Sequence, residues 1–168
     1  EGLGFLYCRP ELREHMSLHQ FGWAMRTRPY DFESATWSPA ASARRFEAGT
    51  PNMTGIHAMD ASLSLFEEVG MAFIEERLAE NVRLLEDGLE SISDVEMVTP
   101  RDPARRCGIL TFRHPGVMQS ALHAQLMKLQ VICSPRAGGI RLSPHFYTPK
   151  QVLESTLDKI NQTIQLLS

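Results

Sequence analysis

Apolar residues recur at alternating steps of three and four along one stretch: Met71, Ile74, Leu78, Val82, Leu85, Leu89 and Ile92. That stripe predicts one long amphipathic helix whose Glu and Arg residues form the solvated face. Ahead of it, helical composition runs from Pro51 to about Val69, with Asn52 suited to cap its start, and Gly70 interrupts. Near the other end, Val152, Leu153, Leu157, Ile160, Ile164 and Leu167 mark the buried face of a last helix. The preceding Thr148-Pro149-Lys150-Gln151 predicts a capping box, with Thr148 at the N-cap, Pro149 at the first helical position and Gln151 at the third.

Shorter patterns lie between these helices. "VEMVT", "CGILTFRH", "VICS" and "GIRLS" read as strands, "RDPARR" as a loop, and residues 118–129 as a helix. The order from residue 95 is therefore β-β-α-β-β-α, which suits a small antiparallel or mixed sheet covered by helices on one side. The opening run "GLGFLYCRPEL" lies between a glycine and Pro10 and reads as a strand buried on both faces, as in a parallel sheet. Residues 13–50 keep no period, although they carry Phe21, Trp23, Tyr30, Phe32 and Trp37. A structureless run of that length is functional, disordered or separated from what it packs on. The expectation is an α/β chain in two parts. Residues 1–70 would close a larger domain, and residues 71–168 would form a small α+β domain.

Composition narrows the function. The formal net charge of −3 leaves no electrostatic footprint for nucleic acid or an anionic membrane, and no apolar run approaches spanning length. Cys8, Cys107 and Cys133 are far apart and odd in number. They argue against a disulfide framework or a zinc site and suggest three buried thiols in a reducing cytoplasm. His15 and His19 stand four apart, but Met16 occupies the place where a metalloprotease helix needs Glu, so no metal is expected. No GxSxG elbow or P-loop is present. The start "EGLGFLY" has neither a signal-peptide pattern nor an initiator Met, and a fragment or a processed chain is expected.

Two places have the right residues for ligand chemistry. Gly49-Thr50 stands just before a helix start, where a hydroxyl and free backbone amides could receive a phosphate; a plain loop and helix cap is the alternative. Arg141 is flanked by Ile140 and Leu142 in a short strand. A half-desolvated guanidinium there grips either a carboxylate ligand or an internal Asp or Glu.

"EGLGFLYCRPEL", "RRFEAGTPN" and "GGIRLSPHFYTPKQV" together resemble, in order and spacing, the class V aminotransferase family, over nearly the whole chain. "FEAGTPN" is the most specific piece and "IRLSPHFY" the next. That family has the fold type I architecture, uses pyridoxal 5′-phosphate, and includes cysteine desulfurases, kynureninases, epimerase-like proteins and aminotransferases. The resemblance implies a homodimer in which Gly49 and Thr50 bind the cofactor phosphate of the other subunit, and in which Arg141 clamps the substrate α-carboxylate. It places the lysine that holds the cofactor just before Glu1. No catalytic residue is then expected here, Lys128, Lys150 and Lys159 match no part of the lysine motif, and the chain alone is expected to be inactive. Class V desulfurases carry a nucleophilic cysteine on a loop ahead of the arginine. "CSPRAGGIR" leaves no room for that loop, so an amino-acid enzyme other than a persulfide-forming desulfurase is expected. The alternatives are a non-catalytic small-ligand or protein-binding module and a degenerate protein of the same fold.

Overall fold

The structure, a computed structural model, describes residues 2–168. Its elements in chain order are α1 (Pro10–Arg13), α2 (Met53–Val69), α3 (Met71–Glu90), β1 (Glu96–Met97), β2 (Leu110–Arg113), α4 (Gln119–Lys128), β3 (Ser134–Arg136), β4 (Gly139–Leu142) and α5 (Lys150–Leu167). Contacts group the chain into a unit ending at Leu65 and a unit Phe66–Ser168.

In the second unit the four strands form one antiparallel sheet in the order β1-β2-β4-β3. Leu110 pairs with Leu142 and Phe112 with Ile140. Directly opposed residues share a face, and all four are buried together with Val82, Leu85 and Leu89 of α3, Leu122 and Leu126 of α4, and Leu153, Ile160 and Ile164 of α5. The helices therefore cover one face, as the stripe patterns predicted. The other face carries the alternate positions Thr111 and Arg141.

Three local expectations fail for identifiable reasons. "VICS" is not a strand before Ser134. Gln130 adopts φ 62°, its N–H donates to the Met127 carbonyl, and the Val131 N–H donates to Leu126. These bonds form a Schellman cap, so residues 129–131 close α4 instead of extending a strand. The capping box ahead of α5 does not form. The Thr148 hydroxyl accepts from the His145 N–H at 2.9 Å and closes a tight turn, which leaves Pro149 at the N-cap with no side-chain bond. The opening apolar run is not a strand either: among the described residues nothing pairs with it, and Phe5 and Tyr7 are largely exposed. A strand of a parallel sheet needs a neighbour on its ladder, and these residues supply none.

In the first unit, two 3₁₀ turns, Trp23–Met25 and Ala43–Phe46, and one bridge between Arg26 and Pro39 organise the aperiodic region. Asn52 caps α2 as expected, its Oδ1 accepting from the Gly55 N–H at 2.9 Å. Asn52→Ala should cost about 1 kcal/mol of helix stability. Amide exchange in the first turn of α2 would register it, and unchanged protection there would contradict the cap.

Candidate functional site

Gly49 and Thr50 follow a braced segment. Arg44 donates to the carbonyls of Arg26 and Thr27 at 3.0 and 3.3 Å. Arg45 is buried, with its Nη1 3.5 Å from a Glu14 oxygen. The Ala48 carbonyl accepts from the Ala24 N–H at 3.3 Å, and it passes so close to Gly22 that a Cβ there would lie 1.8 Å from it. Position 22 must therefore be glycine for the segment to lie where it does. The two arginines of "RRFEAGTPN" thus hold the backbone in place, ahead of the residues able to meet a ligand.

Gly49 and Thr50 line a cleft of about 830 Å³ with Phe46, Glu47, Asn52 and Asp60. Thr50 is exposed, and α2 starts just beyond it. Asn52 occupies the Gly55 amide. The amides of Met53 and Thr54 precede the first intrahelical bonds and stay available at the positive end of the helix. A hydroxyl beside helix-start amides is the donor set a phosphate needs, so these residues fit the phosphate end of the cofactor. Among the described residues, no lysine or arginine lines the cleft. The full phosphate charge therefore requires cationic help from elsewhere.

Arg141 lies in the second unit, at the centre of β4. It faces Thr111 of β2 on one side and Ser134 of β3 on the other. It is half-buried; its Nε is shielded from solvent and has no hydrogen-bond partner. No acidic side chain pairs with it among the described residues, although Arg106 meets Glu86 and Arg113 meets Glu96 on neighbouring elements. Of the two alternatives the sequence allowed, the internal ion pair is absent. A desolvated donor without an acceptor is costly unless something arrives to accept from it.

His145 was not singled out by sequence. Its Nδ1 is buried without a partner. The ring lies 4.1 Å from Tyr147, 4.6 Å from Phe146 and 6.3 Å from Phe66, centroid to centroid. Asn81, itself buried, donates to its carbonyl at 2.9 Å. The only sequence signal was its place in "RLSPHFY", four residues after Arg141.

The remaining candidates occupy ordinary positions. Lys150 pairs with Glu154, and Lys159 donates to the Leu129 carbonyl, so both ammonium groups are engaged. Cys8 is buried, and burial pushes the half-buried Cys133 thiol up from its ordinary pKa. The expectation of three buried thiols fails at Cys107. That residue is exposed in the loop between β1 and β2, where the apolar run begins only at Ile109.

Comparison with known proteins assigns the family. The model of the class V aminotransferases matches residues 1–144. The chain is 31% identical over 164 residues to the uncharacterized aminotransferase YcbU of Bacillus subtilis, covering 95% of this chain and 40% of that protein. It is 34% identical over 111 residues to a cysteine desulfurase of Klebsiella pneumoniae, covering 66% of this chain and 26% of the relative. Among solved structures, the apo cysteine desulfurase of Thermococcus onnurineus superposes with a TM-score of 0.82 at 22% identity, covering 96% of this chain and 42% of that one. The chain thus spans well under half the length of these relatives. The expectation that a desulfurase is excluded is overturned, because several relatives at this level of identity are cysteine desulfurases. The short connection between β3 and β4 describes one loop, and its length does not decide which bond an enzyme breaks. The matched family and the shared fold lead to one conclusion: this chain belongs to the class V aminotransferases, with the type I fold and pyridoxal 5′-phosphate as cofactor.

Proposed function

We propose that this chain contributes to a pyridoxal phosphate enzyme acting on an amino acid, in which Arg141 binds the substrate α-carboxylate. The observation that carries this reading is the buried Arg141 Nε, which lacks a partner in a strand whose neighbours offer only hydroxyls. A carboxylate would accept from Nε and from one terminal nitrogen in the bidentate geometry that guanidinium favours. Holding that group fixes which bond at Cα lies perpendicular to the cofactor ring; the cofactor, when bound, supplies the electron sink.

Gly49 and Thr50 bind the cofactor phosphate in this reading, together with the start of α2. The family resemblance supports a homodimer in which they serve the other subunit's cofactor, which would bring the missing cationic donors from across an interface. The resemblance assigns the lysine that attaches the cofactor to none of Lys128, Lys150 and Lys159; Lys150 and Lys159 are in any case engaged within the chain.

The test is an absorption spectrum of the complete protein before and after borohydride, followed by titration with amino acids. A visible band that reduction fixes, and that shifts when an amino acid is added, is the expected result. A featureless spectrum with added pyridoxal phosphate would refute the enzymatic reading. In the same protein, Thr50→Ala removes one phosphate donor and should weaken cofactor retention by about 1–3 kcal/mol. Equilibrium dialysis would measure it, and unchanged retention would remove Thr50 from the site.

A further inference from the structure

The face of the sheet turned away from the helices carries more than Arg141. Ser134 pairs with Arg141, and Arg136 pairs with Gly139 across the β3–β4 hairpin. Opposed residues share a face, and so do residues two apart on one strand. Thr111, Ser134, Arg136 and Arg141 therefore lie on one side. The hairpin is closed by Ala137 and Gly138, with φ of 48° and 74°, which is the two-residue turn that fixes a register tightly.

The charges on this face are unbalanced. Arg113, two positions along β2 from Thr111, is neutralised by Glu96 at 2.7 Å. Arg136 and Arg141 have no acidic partner among the described residues. They are diagonal neighbours, a relation that sets Cα atoms about 7–8 Å apart. The other two corners of that square are small. Ser134 is one, and Gly139 is the other, where a Cβ would lie 2.2 Å from the Phe112 carbonyl oxygen and so cannot be present. Neither Ser134 nor Gly139 places a bulky side chain at these corners, and the exposed Arg136 side chain donates only to the Pro135 carbonyl, at 3.5 Å, among the described residues.

We infer that the amino-acid substrate carries a second anionic group on its side chain, and that Arg136 receives it while Arg141 holds the α-carboxylate. This rests on the reading of Arg141 given above. Two like charges on diagonal positions of one sheet face, neither with an acidic partner, repel each other, and a ligand with two acidic ends relieves both at once. A short amino diacid spans the diagonal between them. A neutral side chain leaves Arg136 in water with nothing gained, so selectivity arises at that position.

The experiment uses the complete holoprotein and follows the cofactor's visible absorbance as aspartate, glutamate, asparagine and glutamine are titrated in. Each diacid is expected to bind about tenfold more tightly than its amide, as one added charge-assisted hydrogen bond would give. Arg136→Gln should remove that preference while leaving the affinity for the amides unchanged, and Arg136→Lys should retain part of it. Arg141→Gln should weaken all four ligands together. Equal affinity of the parent protein for diacids and amides, no binding of the diacids, or a preference that persists in Arg136→Gln would overturn the inference. If Arg141→Gln leaves all four affinities unchanged, the α-carboxylate assignment fails instead, and this inference falls with it.

Discussion

Arg141→Gln in the complete enzyme is expected to lower kcat/KM for its amino acid by about 10²–10³, the equivalent of two charge-assisted hydrogen bonds at roughly 1.5–2 kcal/mol each. The rise should appear mainly in KM. The α-carboxylate is present in both the bound substrate and the transition state, so most of the lost interaction is common to both. Part should also appear in kcat, since a substrate held at one end only wanders from the reactive orientation. The resting cofactor spectrum should not change, because in this reading Arg141 meets the amino acid and not the cofactor. Glutamine keeps most of the length of arginine, and position 141 is on the face that the helices do not cover. The variant should therefore melt within a degree or two of the parent. Turnover within a few-fold of the parent, in a protein of unchanged stability, would remove Arg141 from the site.

Phe112→Ala should destabilise the second unit by about 3–5 kcal/mol, the cost of emptying a large aromatic site in a packed core. Phe112 is fully buried and faces Met97 on one side and Ile140 on the other. The hole cannot collapse easily, because the register of three strands meets there. Chemical denaturation should show a lower midpoint at nearly constant slope. The effect should also reach the ligand. Strand β2 carries Thr111 beside Arg141, and the Phe112 carbonyl lies against Gly139 at the start of β4. Amino-acid affinity should fall in the variant even where it remains folded. A loss below about 1.5 kcal/mol, the range of a tolerated isosteric swap, would mean that the aromatic ring is not central to this core.

A smaller ion pair near this core illustrates a different balance. Glu86 and Arg106 are both almost buried, and the hydrogen bond that Arg106 donates to Glu86 holds the guanidinium pKa above its ordinary value despite desolvation. A raised cationic pKa stabilises the fold below the unfolded value and loses its contribution only as pH climbs through the folded one. For arginine that window is far above the range in which the protein works. The pair therefore acts as a fixed link between α3 and the loop after β1, with no role as a pH switch there.

How much was legible beforehand follows from the range of the forces involved. The helices α2, α3 and α5 and the strands β1, β2 and β4 were readable because their apolar periods match a local geometry that burial on one face then stabilises. Asn52 was readable as a cap because its partner is three residues away. Thr148 was misread because its hydroxyl had two local uses, and the turn at His145 took it. The opening run was misread because a strand is defined by its neighbours on the ladder, and an apolar run alone cannot supply them. The family was legible in "FEAGTPN" and "IRLSPHFY", while the exclusion of one reaction was not, because a reaction is decided by assembled geometry and one short loop is too little of it.

By itself the sequence determined the family, the cofactor, the long helices and the two segments worth testing, since each of these rests on local pattern or on whole motifs. Tertiary structure alone decided what surrounds them. Only the pairing of β2, β4 and β3 showed that Arg141 is flanked by hydroxyls, shares its face with Arg136, and has a buried nitrogen with no acceptor. Only the fold showed that Arg44 and Arg45 brace a backbone segment. Those facts depend on contacts between residues distant in the chain, and chain closure brings such residues together with no trace in the local pattern.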